Sequence, residues 1–94
     1  MNIKSLHPLE KAVSATSFFK GEGNSTSIRI LEGQTLKEHS TKVPALLLCL
    51  EGSVLYEDED GEKINLLPGD FVNIEPIIKH WLYANIDSHC LLLK

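Results

Sequence analysis

The residues best suited to chemistry are two histidines, His39 and His80, each inside a short stretch rich in turn residues. The first stretch begins at Gly33, passes through His39, Thr41, Pro44 and Ala45, and continues as an apolar run to Glu51 and Gly52. The second begins at Gly69 and Asp70 and passes through Glu75 and Pro76 to His80 and Trp81. An imidazole exchanges a proton near neutral pH and, when neutral, offers a lone pair to a metal ion. Two imidazoles alone are a poor metal site. Catalytic zinc takes three protein ligands, and non-haem iron takes two histidines and a carboxylate. Thr41 adds a weak neutral hydroxyl and Ala45 adds nothing. Side chains alternate along an extended chain, so Glu38 falls on the side opposite His39, and Glu75 would join only by turning inward. Both rings are equally satisfied as buried groups with a hydrogen-bond partner. His7 and His89 lie outside both stretches and read as structural or surface residues.

The elements that must position these side chains read as short strands. Ile28 and Ile30 share one face of a strand over 25–31. Ala45 to Leu50 is the longest apolar run and suits a buried strand. Val13, Ala15, Ser17 and Phe19 would share a face if that segment is extended. Glu59-Asp60-Gly61-Glu62 predicts a hairpin, with Asp60 and Gly61 suited to a two-residue primed turn. The acidic residues from Glu57 to Glu62 then form a solvated tip. Phe71 to Ile74 and Lys79 to Ala84 complete the second stretch, the latter with His80 and Leu82 on one side and Trp81 and Tyr83 on the other. Many short strands bounded by Gly, Pro, Asn or Asp indicate a sandwich or barrel.

The 94 residues and 43% apolar content suit one small folded domain over 1–94. Residues 1–24 read as an arm and edge strand, and 25–94 as the barrel. A net charge of -4 argues against nucleic acid or an anionic membrane as partner. No apolar stretch approaches a membrane span, and no basic start followed by a long apolar run marks a signal peptide. The expected location is therefore cytoplasmic. Cys49 and Cys90 match no zinc spacing and read as small buried hydrophobes.

Together the two stretches resemble the paired motifs of the cupin family. Gly33, His39 and Gly52 fall on the first motif, and Gly69 and His80 on the second. The family's second histidine falls at Thr41 and its glutamate at Ala45. Its proline falls at Glu75, with Pro76 one residue later, and its inner glycine at Ile77. The resemblance implies an all-β, cupin-like double-stranded β-helix, or jelly-roll barrel. Relatives with full motifs hold a divalent metal by three histidines and a glutamate. His39 and His80 are the metal candidates that remain, for Zn, Fe, Mn or Ni.

Replacing two polar ligand positions by Thr41 and Ala45 predicts a more apolar interior pocket, as small-molecule sites commonly are. Its expected lining is His39, Thr41, Ala45, Leu47, Cys49, Phe71, Asn73, His80 and Leu82. The function indicated is binding of a small molecule, carboxylate or sugar-like by family analogy. The alternative is a metal-dependent cupin enzyme of isomerase, dioxygenase or decarboxylase type, acting on a small organic acid or sugar. Leu46, Leu48, Leu50, Trp81 and Tyr83 face outward on this reading. Such a surface predicts a homodimer, unless the N-terminal segment covers it.

Overall fold

A computed structural model describes residues 1–94, the side chain of Lys20 excepted. After a single-turn 3-10 helix at Ile3–Leu6 come nine strands: β1 (Val13–Lys20), β2 (Asn24–Ile30), β3 (Thr35–His39), β4 (Ala45–Glu51), β5 (Val54–Asp58), β6 (Lys63–Leu66), β7 (Phe71–Ile74), β8 (His80–Ala84) and β9 (Ser88–Leu93). They form two antiparallel sheets, ordered β1-β2-β9-β4-β7 and β3-β8-β5-β6. This is the all-β jelly roll expected from the sequence.

The period-two patterns explain the packing. Ile28 and Ile30 of β2, Ala45, Leu47 and Cys49 of β4, and Cys90 and Leu92 of β9 are buried on the inner face of the larger sheet. Val54 and Tyr56 of β5, Leu66 of β6, and Leu82 and Ala84 of β8 meet them from the smaller sheet. Each sheet thus contributes alternate residues to one core between the layers.

Three local expectations are corrected. The β5–β6 hairpin is present, but its turn is not a two-residue primed turn. Gly61 N–H donates to Asp58 O at 3.1 Å, and of the central residues only Gly61 has positive φ, +85°. The Asp58 carboxylate explains the choice: its Oδ1 accepts the Asp60 and Glu62 N–H groups at 3.0 and 3.1 Å and holds a longer loop. In β1 the alternation breaks at an irregularity between Ser17 and Phe19, so Val13 packs on the core while Phe19 is exposed. In β7 the phase is the reverse of that expected. Val72 and Ile74 are buried, and Phe71 and Asn73 are exposed. The turn before β7 sets this phase, because Gly69 N–H donates to Cys49 O at 2.8 Å and Cys49 N–H to Asp70 O at 2.9 Å. That register places Phe71 opposite Leu48 and Asn73 opposite Leu46, both on the outer side.

Candidate functional site

His39 ends β3 and His80 begins β8, and the two strands pair with these residues directly opposite. A register shift between Leu36 and His39 is needed to turn both side chains inward, since strict alternation would put them on opposite faces. The ring centroids are 4.2 Å apart, and Nε2 of one lies 3.1 Å from Nε2 of the other. His80 is buried, with 1% of its surface exposed, while His39 is half-buried. On the other side of β8, Asp58 pairs with His80, and the Tyr56 ring stacks on the His80 ring at 5.9 Å. The Tyr56 hydroxyl donates to Asp58 Oδ2 at 3.2 Å, and burial first, then Asp58, holds that phenol protonated well above its ordinary range.

The hydrogens in this pair can be counted. His39 Nδ1 lies 3.1 Å from Lys37 O, and His80 Nδ1 lies 3.2 Å from Ile78 O. A carbonyl only accepts, so each Nδ1 must carry a hydrogen. The Nε2–Nε2 contact needs one more. Two neutral imidazoles carry one N–H each, so satisfying all three contacts requires one extra positive charge on the pair. Burial pushes His80 below the usual histidine range, the Ile78 carbonyl and Asp58 oppose that shift, and His39 adds to it.

His39 also lines a cavity of about 660 Å³ between β1, β2 and β3. Val13, Ala15, Ile28, Leu36 and Leu92 form its apolar walls, and Thr26 and Thr35 add hydroxyls. Lys37 and Lys94 stand beside it, and no acidic residue is among its lining. This differs from the single interior pocket expected. Leu47, Cys49 and Leu82 are packed in the core, and the large buried side chains of Tyr56, Leu66 and Ile74 fill the space between the sheets. Thr41 is buried with its hydroxyl donating to Val43 O at 2.7 Å, and it borders a different cavity beside Pro44. Ala45 and Asn73 border a third, beside Phe19, and Phe71 is 56% exposed on the outer face. Of the expected lining, His39 and His80 converge and Leu82 lies buried on the same strand, while the others are distributed through the core and over the surface.

Sequence reasoning missed Lys37, Leu36, Ile28 and Leu92 as walls of the His39 cavity. The alternation of β2 marked Ile28 as inward, but nothing marked the gap between β2 and β3. His7 and His89 are also buried, on the outer side of the larger sheet and away from this pair.

The residues present do not fit a full metal site. An Nε2–Nε2 separation of 3.1 Å suits two ligands on one ion, since zinc–nitrogen bonds of about 2.0–2.1 Å at 90–110° span about 2.8–3.4 Å. Further donors are lacking. The Thr41 hydroxyl is engaged, Ala45 has no donor, and Glu38 is turned to Lys79 at 3.7 Å. Among the described residues no cluster of three or more His, Cys, Asp or Glu side chains converges.

No family model matches the chain, and no curated protein does. Solved structures do match it in shape. A cupin superfamily protein from Desulfitobacterium hafniense superposes with a TM-score of 0.85 at 16% identity, covering 98% of this chain and 84% of that one. An RmlC-like cupin from Desulfovibrio desulfuricans gives 0.78 at 19% identity, covering 92% and 90%. A cupin-2 domain protein from Shewanella frigidimarina gives 0.79 at 14% identity, covering 100% and 92%. At these identities the likeness speaks for architecture alone: the chain is a small barrel with the cupin fold.

Proposed function

We propose that the protein binds a small organic acid, its carboxylate directed to His39 and Lys37 and its apolar body against Leu36, Ile28 and Leu92. The observation that carries this reading is the hydrogen count at the histidine pair. An imidazole pair that needs a positive charge to satisfy its contacts, beside a lysine and at the edge of an apolar cavity, favours an anion. The cavity has the size and the mixture of apolar walls with few polar groups that small-molecule sites share. Chemistry beyond binding has less support, because the Asp58 carboxylate is committed to the hairpin and the Tyr56 phenol is held protonated.

The test is thermal denaturation against a panel of carboxylic acids and matched neutral amides. A ligand at one hundred times its Kd stabilises by about 2.7 kcal/mol. For a chain of 94 residues that raises Tm by about 10–20 °C. The acid should act, its amide should not, and Lys37→Glu should abolish the shift. A panel in which no acid moves Tm would remove the reading.

The second reading, a metal-dependent enzyme, draws on one observation. Both Nδ1 atoms face backbone carbonyls, which leaves two Nε2 lone pairs converging, as the outer partners of metal-bound histidines commonly arrange. Elemental analysis of tag-free protein distinguishes the two: stoichiometric Zn, Fe, Mn or Ni supports the enzyme, and its absence the binding module.

A homodimer belongs to the same proposal. Leu46, Leu48 and Leu91 are half-buried and Leu50, Phe71 and Leu93 exposed on the outer face of the larger sheet, an apolar surface suited to a second copy. A single domain over 1–94 and a cytoplasmic location complete it, the latter agreeing with two buried free thiols.

A further inference from the structure

Four polar side chains, from the N-terminal arm, β1, β2 and β9, meet on the outer side of the larger sheet. His7, in the arm before β1, places Nδ1 2.6 Å from Ser14 Oγ on β1 and Nε2 2.8 Å from Ser27 Oγ on β2. The same Ser27 oxygen lies 2.6 Å from His89 Nε2 on β9. The two rings meet edge-on with centroids 5.0 Å apart. Ser27 is fully buried at 0% exposure, and His7 and His89 are each 5% exposed. Core inward residues alternate with these, so the cluster is a polar layer closed by the arm and separate from the main core.

A hydroxyl has one hydrogen to give. Ser27 can therefore donate to one imidazole while accepting from the other. Two neutral arrangements satisfy the chain, one running from Ser14 to His89 and one in the opposite direction. One added proton is tolerated, with His7 donating from both nitrogens and Ser27 donating to His89. A second is not. Both Nε2–H groups would then point at one oxygen, and the Ser27 hydrogen would lose its acceptor in a site without water access.

The charges around the cluster do not repair this. The arm contributes Lys4, β2 contributes Arg29 and β4 contributes Glu51, opposite His89 in the register. Glu51 is already paired with Lys4 at 2.8 Å. Asp87, in the turn before β9, borders the cavity beside His89, and its Oδ1 accepts the Glu32 N–H at 2.8 Å. Arg29 is tied to the arm through Pro8 O and Lys11 O, both at 2.6 Å.

We propose that residues 1–12 form a proton-released latch, closed over the larger sheet by the His7–Ser27–His89 chain and opened when both imidazoles are charged. The sign follows from burial. Both histidines are held below the ordinary value of 6.5, chiefly by desolvation, with Arg29 adding at His7 and His7 adding at His89. A group whose pKa is lowered in the closed state leaves that state undisturbed above pH 6.5 and disfavours it as pH falls below. Each of the two contributes up to tenfold per pH unit, so the open fraction grows by up to about 100-fold per unit below pH 6.5.

The test is NMR of the full chain between pH 8 and pH 5, following the histidine ring protons, the backbone amides of 1–12 and the core amides of Leu47, Val54 and Leu82. The arm amides should move together to unstructured shifts below pH 6.5, with a Hill coefficient above one, while the core amides stay. His89→Gln removes one charge site while its amide oxygen still offers Ser27 an acceptor, and its arm should stay docked at pH 5. Core amides that remain folded in this variant show that the comparison is valid, and a variant that unfolds is replaced by His7→Gln, judged the same way. Two independent histidine titrations with an unmoved arm would overturn the latch. So would an arm in either variant that leaves at the same pH as in the natural chain.

Discussion

Replacing Ile77 with glycine should stabilise this protein. Ile77 is the only non-glycine residue with positive φ, +73°, in the structure as described. By the motif resemblance noted in the sequence, it falls where an inner glycine is expected. The left-handed region costs an ordinary residue about 1–2 kcal/mol, with β-branched residues at the upper end. What holds it there is visible: Ile77 N–H donates to Thr41 O at 2.7 Å, tying the β7–β8 connection to the segment before β4. The side chain is 76% exposed, so removing it forfeits little burial. Glycine gives back about 0.5–1 kcal/mol through the freedom of the unfolded chain. The net gain is about 1 kcal/mol, or a Tm rise of about 4–8 °C for 94 residues. Ile77→Asn separates the two contributions, because asparagine tolerates the left-handed region without glycine's entropy. Thermal and urea denaturation of wild type, Gly, Asn and Ala variants should rank Gly and Asn above wild type, with Ala near it. A glycine variant that melts lower than wild type would refute the strain argument.

The opposite substitution is expected at Gly52. A Cβ there would collide with Ser88 Oγ and lie 2.5 Å from Asp87 O, at φ +96°. Gly52→Ala should therefore cost about 2–5 kcal/mol, combining overpacking with left-handed strain, whereas Gly61→Ala, with nothing within 4 Å of the added Cβ, should cost only the strain. Urea denaturation of both variants measures the difference. The thiols should be inert: burial raises Cys49 and pushes Cys90 up to about 12, so about one ten-thousandth of Cys90 is thiolate at pH 8. Iodoacetamide should label neither cysteine in the native protein and both in urea, as read by mass spectrometry. Phe71→Glu should shift light scattering from about twice 10.5 kDa to 10.5 kDa if the outer face joins two copies. An unchanged mass for the variant would place the contact elsewhere.

Much of the fold was legible because alternation survives wherever a strand is regular. Ile28 with Ile30, Ala45 with Leu47 and Cys49, and His80 with Leu82 all face inward as their spacing predicts. Phase was lost wherever a turn or bulge resets it. The shift before His39 brings Leu36 and His39 to one face, and the Gly69 turn puts Phe71 and Asn73 outside. Neither reset follows from local alternation: one is a shift in the β3–β8 register, and the other is set by hydrogen bonds between the 69–70 turn and Cys49. The convergence of His39 on His80 was legible from the two motifs. The His39 cavity was not, because it lies where the two sheets part, and a one-dimensional pattern carries no record of such a gap. The cluster around Ser27 was hidden for a related reason. Its members are ordinary polar residues, and only the folded arm brings His7 onto them.

The place of β9 at the middle of the larger sheet has a consequence for synthesis. β2 pairs with β9 from Ser25 opposite Leu93 to Ile30 opposite Ser88, and β4 pairs with the other edge of the same strand. Until the segment 88–93 leaves the ribosome, the hairpin of β1 and β2 and the pair β4–β7 have no strand to join them. The nascent chain thus carries two unpaired β edges from the emergence of β2 and β4 until 88–93 follows, the exposure that invites aggregation in slowly closing topologies. Closure of the larger sheet must wait for β9, so a nascent-chain tether that sequesters 88–93 should hold the protein in a chaperone-binding state.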